Sequence, residues 1–467
     1  MARKHIEMSG EEREQWIRSN KYYYKYLSDY LRFIIPPGAS VLEIGCGTGF
    51  LLQAVKAGRG VGIDHSAPFI TYAREVRSHF TFHVMNAEEF ILDDHFDFIL
   101  LSDSIGDFHD VQKVLKQVQH VCTPQTRIVI TGINFLWLPL LNFGEKVKLK
   151  MPQKRQNWLD TIDIINLLKL TDFEVIANTR KIISPRYIPV VSTIMNKFVG
   201  NLPLFNRLGL VTTLVARSIS HIGKTDPEKS VSVIIPARNE KGNIESLILR
   251  TPQMGVHTEI IFVEGNSTDD TWEEIQRLGT YYQEHYNIKW TQQNGKGKGD
   301  AVRKGFELAT GDILMILDAD MTVPPEDLSK FFDAISSGKG EYINGTRLVY
   351  PMEDEAMRTL NLIGNKFFSL AFSWLLGQPL KDTLCGTKVL SRENYLKLAA
   401  NRSYFGNFDP FGDFDLIFGS AKLHLKFIEV PIRYKARTYG ETNISRFKHG
   451  WILLKMTFFA LTKIKFI

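Results

Sequence analysis

Apolar and polar positions along this 467-residue chain follow a repeated rhythm of strand, turn and helix. Short apolar runs predict buried strands at Val41–Ile44, Gly60–Asp64, Phe96–Leu101 and Arg127–Thr131. Helical stretches lie between them, one from Asp110 to Val121, and a helix rich in tyrosine is predicted over residues 20–35. Such alternation belongs to a parallel sheet covered on both faces. The rhythm breaks over residues 134–220, an apolar and basic stretch interrupted by Pro139, Pro152, Pro185, Pro189 and Pro203. Within it Phe173–Ala177 reads as a late strand, and residues 186–217 read as helices that either cap the sheet or meet a membrane. The polar stretch His221–Ser230, with its glycine and proline, is a linker. A second strand–helix series begins straight after it, at Val231–Pro236, Glu259–Val263 and Asp312–Asp318. No internal repeat or low-complexity tract is visible.

The pattern therefore predicts two α/β domains: residues 1–222, a linker at 223–230, and residues 231–449, followed by an apolar and basic helix over 450–467. Composition agrees with a folded chain, at 44% hydrophobic and 23% charged residues. The net charge of +6 matters through its location. From Arg433 onward eight basic residues face a single acid, Glu441, a tail suited to phosphates or an anionic membrane surface. The three cysteines, Cys46, Cys122 and Cys385, are far apart and lack metal-ligand spacing, which fits a reduced, cytoplasmic chain. The polar N-terminus has no apolar core of a secretory signal. No run is long and uncharged enough to span a bilayer. Phe367–Leu376 and Trp451–Ile467 come nearest, and the second reads as an interfacial helix with snorkelling lysines or as a helix packed on its domain.

The first chemical motif is Glu43-Ile-Gly45-Cys-Gly47-Thr-Gly49, between a buried strand and a helix. Glycines there permit tight turns and close approach of a ligand. Asp64 ends the next strand, where a carboxylate accepts hydrogen bonds from a ribose diol, and Asn86-Ala87 follows a third strand-like segment, where an adenine edge is read. Asp64 comes about 15 residues after the last glycine, short of the roughly 20 of a dinucleotide fingerprint. Residues 40–135 resemble the class I S-adenosylmethionine-dependent methyltransferases, through the E-x-G-x-G-x-G loop, the acid at the end of the second strand and the strand leading to Asp103. The resemblance implies a Rossmann-like sheet. It also implies that the loop at Glu43, Gly45, Gly47 and Gly49 carries the methionine part of S-adenosylmethionine, and that Asp64 holds the ribose. His109 near Asp110 is either a base or a polar helix start; the methyl acceptor is not written in the sequence.

The second site is sharper. Leu317-Asp318-Ala319-Asp320 ends a very apolar strand. Two carboxylates at such a place are costly unless they hold a cation, and hard divalent cations keep positions for substrate phosphates. Mg²⁺ or Mn²⁺ there neutralises charge on a departing nucleoside diphosphate. Other segments fit: Pro236-Ala-Arg-Asn239-Glu240, Glu264-Gly-Asn-Ser267, and the basic, glycine-rich run through Lys298 that opens a helix. In this order and spacing, residues 230–450 resemble the family-2 glycosyltransferases, nearest to polyprenyl-phosphate sugar transferases such as dolichyl-phosphate mannose synthase. The resemblance implies a GT-A-type fold, with Pro236, Asn239, Glu240 and Glu264 beside the nucleoside and Asp318 and Asp320 on metal and diphosphate. Gly265 stands where the family has a second acid. Asp382 and the loop to Gly386 and Lys388 match an acceptor-side segment, and Asp413 and Asp415 match a D-x-E segment. Arg437 matches a phosphate-contacting arginine, while Asn443 replaces the expected lysine, whose charge Arg446 or Lys448 supplies.

These resemblances imply a bifunctional, inverting sugar transferase and methyltransferase, cytoplasmic and peripheral on a membrane. Its expected partners are a UDP- or GDP-linked sugar donor and a polyprenyl-phosphate acceptor, with no nucleic acid. A lipid phosphate is already an anionic nucleophile; a hydroxyl acceptor on a surface polysaccharide requires a base among Asp382, Asp413 and Asp415. A methyltransferase-like domain that only binds a ligand is the remaining alternative.

Overall fold

The computed structural model describes residues 8–151, 159–223, 225–347, 359–404, 414–433, 435, 439 and 446–466. Asp413, Arg437, Glu441 and Asn443 lie outside them. The chain divides into two compact units, one up to His221 together with Phe466, and one from Ile222 to Lys465.

In the first unit the strands are β1 (Ser40–Ile44), β2 (Arg59–Asp64), β3 (Thr81–Val84), β4 (Phe98–Ser102), β5 (Arg127–Ile133), β6 (Phe173–Lys181) and β7 (Val211–Ser218). They form one sheet in the order β3-β2-β1-β4-β5-β7-β6. All neighbours are parallel except β7, which runs antiparallel to both β5 and β6. The alternation of side chains explains why whole runs are apolar. Leu42, Ile44, Ile99 and Leu101 fill one layer, while Val41, Leu100 and Val129 fill the other. Helices are started by their own sequence: Ser9 and Glu12 make a reciprocal capping box for Gly10–Ser19, and Asp110 caps Val111–His120.

The expectation of helices throughout residues 186–217 is corrected here. Short helical turns occupy part of the segment, but Val211–Ser218 is a fully buried strand slotted between β5 and β6. Its charge hid it: Arg217, 1% exposed, lies opposite Glu174 of β6 and pairs with it at 3.0 Å.

The second unit contains β8 (Ser230–Ala237), β9 (His257–Glu264), β10 (Asn287–Gln292), β11 (Ile313–Ile316), β12 (Tyr342–Thr346), β13 (Lys388–Ser391) and β14 (Phe427–Pro431). Their order is β10-β9-β8-β11-β13-β12-β14, with β13 antiparallel to its two neighbours. Again the layers alternate: Val231, Val233 and Ile235 pack to one side, Ile234, Leu314 and Ile316 to the other. The helices Thr359–Leu376 and Arg446–Ala460 add Phe368, Phe372, Met456 and Ala460 to that second layer. Among the described residues no helix is long and apolar enough to cross a membrane.

In both sheets the chain order turns back beside a central strand, at β1/β4 and at β8/β11. Crevices beyond the carboxyl ends of strands at such points are where open α/β sheets take ligands, and both sequence motifs emerge there.

Candidate active sites

The first site is a turn built for close approach. Gly45, Gly47 and Gly49 have φ of +76°, +54° and +74°, the left-handed region that a side chain resists. Space excludes a side chain at two of them: a Cβ on Gly45 would lie 2.6 Å from Ser104 Cβ, and one on Gly49 2.5 Å from the Phe82 ring. Gly47 differs, because the nearest atom to its Cβ position is Arg13 Nε at 4.0 Å, so its outer face is open. Asp64 holds the turn, accepting from Gly47 N at 2.8 Å and from Ser66 N at 2.9 Å. His65 Nδ1 also lies 3.4 Å from the oxygen that accepts from Ser66.

Glu43 is buried beneath the turn, and its Oε2 has no hydrogen-bond partner. Burial pushes its carboxyl up to about 8, with Asp64 adding to the rise and a backbone hydrogen bond from Leu52 opposing it. Asn86 is exposed and Ala87 buried behind β3, with Asn86 Oδ1 accepting from Glu88 N at 3.2 Å. His109 donates its backbone N–H to Glu88 Oε1 at 2.7 Å.

Of the two helices that brace the turn, sequence reasoning predicted the tyrosine-rich second and missed the first, Gly10–Ser19. Glu14 of the first helix, 7% exposed, accepts from Thr48 Oγ1 at 2.7 Å and pairs with buried Arg77 at 3.0 Å; Arg77 also donates to Thr48 O. Tyr23 and Tyr24 sit on the next helix, Lys21–Ile34, and burial raises both phenols. Asp103 acts on both and adopts φ +55°; burial raises its own carboxyl while Arg13 and Lys150 oppose the rise. The capping box Ser9–Glu12 was the available signal for this brace.

At the second site β8 and β9 end in interlocked turns. Asn239 and Asn266 both have positive φ. Asn239 N donates to Ser267 Oγ at 3.0 Å, and Thr268 N returns a bond to Asn239 Oδ1 at 2.8 Å. Glu240 is buried, with its N–H on Thr271 Oγ1 and its carboxylate accepting from Asn243. Buried Glu264 accepts from Ser267 N at 2.5 Å and from Gln292 Nε2 at 3.1 Å. Pro236, the penultimate residue of β8, is half-buried. Beside Gly265 lies Gln293, 7% exposed, whose Oε1 has no hydrogen-bond partner.

Beyond β11, Asp318 Oδ1 meets Lys298 Nζ at 2.5 Å. Burial opposes ionisation of Asp318, but Lys298, then Lys388 and Arg347, hold its carboxyl below the usual carboxylate range. Asp320 accepts from Thr322 N and Thr322 Oγ1 at 3.1 and 2.7 Å. Gly386 explains its own identity, since a Cβ there would overlap the second Asp318 oxygen. Lys388, fully buried, donates to Cys385 O at 2.5 Å and Asn344 Oδ1 at 3.2 Å. Among the described residues no group of three or more His, Cys, Asp or Glu side chains is gathered for a metal. Asp318 and Asp320 fit a divalent cation only as a half-set that substrate phosphate oxygens complete.

Asp382 needs a change of role. Fully buried, it is gripped by Arg347 through Nε at 2.7 Å and Nη2 at 2.8 Å, with Arg347 N at 3.0 Å. Against the cost of burial these bonds hold it low, so it is an ion-paired support rather than a base facing a hydroxyl. Asp415, at the start of the helix Phe414–Lys422, lies 3.4 Å from Arg402 and 4.0 Å from Arg303. Arg446 opens the helix Arg446–Ala460. The chain beyond β14 returns to the site: Lys435 N donates to Thr322 O, and a Cβ on Gly242 would strike the Tyr439 ring. Arg347 carried no signal in the sequence beyond its position just after a strand.

Residues 35–175 match the family model described as "Methyltransferase domain", and residues 232–397 match "Glycosyl transferase family 2". The chain carries one transferase domain of each kind. Over 226 residues it is 28% identical to "Glycosyltransferase AglJ" of Haloferax volcanii, covering 48% of this chain and 69% of the relative. Over 121 residues it is 40% identical to "Dolichol-phosphate mannosyltransferase" of Pyrococcus furiosus, covering 26% of this chain and 33% of that protein. "Dolichyl-phosphate beta-glucosyltransferase" of Saccharomyces cerevisiae is 27% identical over 246 residues, 47% of this chain and 72% of that protein. The chain thus spans only a third of the length of the second of these relatives. Both α/β folds expected of the two halves, the Rossmann-like and the GT-A-type, are present.

Proposed function

We propose that the glycosyltransferase unit moves a sugar, with inversion, from a nucleotide donor to a polyprenyl phosphate, and that the methyltransferase unit transfers a methyl group from S-adenosylmethionine. The observation that carries the first half is the end of β11, where Asp318 meets Lys298 at 2.5 Å and Lys298, Lys388 and Arg347 draw its carboxyl below the usual carboxylate range. Such a site balances negative charge whichever form it takes. Asp318 and Asp320 would hold Mg²⁺ or Mn²⁺, which stabilises the charge of the departing diphosphate when bound. Lys298, paired with Asp318 in this structure, would be placed to meet a phosphate oxygen of the donor. Asn239, Glu240, Glu264 and Ser267 shape the nucleoside cradle.

The reading of the acceptor is supported by the two candidate bases among the described residues. Asp382 is held by Arg347 and Asp415 sits among arginines, so neither is poised as a base. A phosphate oxygen needs no deprotonation before it attacks the anomeric carbon, and the relatives named for dolichol-phosphate chemistry support that acceptor. Arg437, Asn443 and Arg446 would lie on the acceptor or phosphate side, and Asp413 would complete the loop before Asp415. The methyl half rests on the open face at Gly47 and the carboxylate of Asp64; Glu43, Gly45, Gly49, Asn86 and Ala87 would complete the cofactor cradle.

We place the chain at the cytoplasmic face of a membrane. Trp451, Leu454 and Phe458 are exposed on the C-terminal helix, next to Lys455. Lys465 does not share that exposure: burial lowers it to about 8, and its ammonium lies 6.0 Å from the centre of the Trp374 ring. The test is a paired assay with labelled UDP- and GDP-sugars, offering polyprenyl phosphate or the matching polyprenol. Label in the phosphate alone supports the reading; label in the polyprenol or in a saccharide alone overturns it.

A further inference from the structure

The part of the chain that broke the sequence rhythm has a use that the two transfer activities do not absorb. Two segments, residues 134–151 and 183–210, leave the sheet of the methyltransferase unit at one edge. The first follows the carboxyl end of β5 and the second joins the carboxyl end of β6 to the start of β7, and Ile133, Lys181 and Val211 are register partners there. That is also the edge from which the glycine turn, Asp64 and Asp103 project. The segments are tied together: Asn134 Nδ2 donates to Arg207 O at 3.0 Å and Gly209 O at 2.8 Å, and Trp137 Nε1 to Leu208 O at 2.8 Å.

Their outer surface is apolar. Leu140, Phe143, Val190 and Leu204 are 58%, 61%, 68% and 71% exposed, and none of the helix Leu138–Lys146 is buried. Exposed apolar area of this extent on a soluble surface marks an interaction site. Its charge is one-sided. Lys146, Lys148, Lys150, Arg186, Lys197 and Arg207 stand against one acid, Glu145. The backbone is held in place at a cost, since Ile182 and Val190, both β-branched, adopt φ of +66° and +65°. The surface reaches the cofactor turn: Arg13, the nearest group to the open face of Gly47, donates to Met151 Sδ at 3.1 Å.

We propose that residues 134–151 and 183–210 form a docking surface for an anionic lipid bilayer that brings the cofactor turn to the membrane. A protein partner would require acids facing this cationic set at fixed positions, whereas a bilayer of anionic lipid accepts mixed apolar and basic residues without register. The docking itself does not depend on methyl transfer; only its use in presenting an acceptor rests on that reading.

The test uses the full chain with Leu204→Cys carrying an environment-sensitive fluorophore, in a Cys122→Ser background. Phosphatidylcholine vesicles containing phosphatidylglycerol should shift the emission to the blue, pure phosphatidylcholine much less, and added salt should reverse the shift. Phe143→Glu with Lys148→Glu should weaken vesicle co-sedimentation about tenfold or more, with S-adenosylmethionine binding retained as the check on folding. No shift while the chain still co-sediments assigns the binding elsewhere and overturns the proposal. So does a shift that needs protein concentration rather than lipid, which would mark a second copy, or a probe already shielded in dilute protein. Loss of S-adenosylmethionine binding in a chain whose probe still shifts would sink the methyltransferase reading and leave the docking surface standing.

Discussion

Strain at single residues marks both sites. Asp103, Asn239, Asn266 and Met321 all have positive φ and all follow the carboxyl ends of central strands, where backbone strain accompanies function. Two residues there carry predictions. Glu43 stands near 8 in the fold against an ordinary value of 4.5. Below about pH 4.5 it is neutral folded and unfolded; between there and 8 the unfolded chain sheds a proton that the fold retains. Stability therefore falls as pH rises through that window, by up to about 1.4 kcal/mol per pH unit. Glu43→Gln should flatten this part of the thermal unfolding profile of the methyltransferase unit; an unchanged slope would show that burial does not hold Glu43 neutral. Gln293 offers an unpaired carbonyl beside Gly265, where the expected second acid is missing. A nucleobase N–H would satisfy it, and Gln293→Ala should raise the donor KM about tenfold, as loss of one buried hydrogen bond does, with kcat little changed. Gly265 was visible in the sequence as a departure. Gln293 was not, because only the fold sets it beside that gap.

Among the elements, the strands that carry motifs were legible because burial on both faces writes an unbroken apolar run. Val41–Ile44, Val231–Pro236 and the run before Asp318 all stand out for that reason. β7 was not, since its buried Arg217 looks solvated until Glu174 arrives from another strand. β12, β13 and β14 carry polar residues that only the folded chain satisfies, such as Lys388 against Asn344 and Glu429 against Lys381 N. The site inherits the same limit: Asp318 and Asp320 were readable, but the grip of Arg347 on Asp382 was not. One glycine ties two elements together. Gly386, just before β13, lets the Asp318 carboxylate lie against the backbone. Gly386→Ala should displace that carboxylate and lower sugar transfer by about 100-fold or more, on the scale of losing a charge-stabilising group. The melting temperature should drop by only a few degrees, as for overpacking. Full activity in the alanine variant would remove Asp318 from the mechanism.

On the scale of the whole molecule, each unit has its own sheet, its own pair of core layers and its own crevice at the carboxyl ends of its strands. The two chemistries should therefore separate. Asp64→Ala should abolish S-adenosylmethionine binding in calorimetry and leave sugar transfer within about twofold, as for sites that share no residues; a parallel loss of sugar transfer would show that the units work as one. The central claim is that the cation-lined end of β11 is a metal-assisted nucleotide-sugar site. Its most direct measurement is transfer of labelled sugar to polyprenyl phosphate with Mn²⁺, with and without chelator, for the native chain and for Asp320→Asn. Transfer by the native chain that chelator stops and that falls about 1000-fold in the variant is the predicted result. Equal transfer by both proteins, or transfer indifferent to chelator, would contradict it.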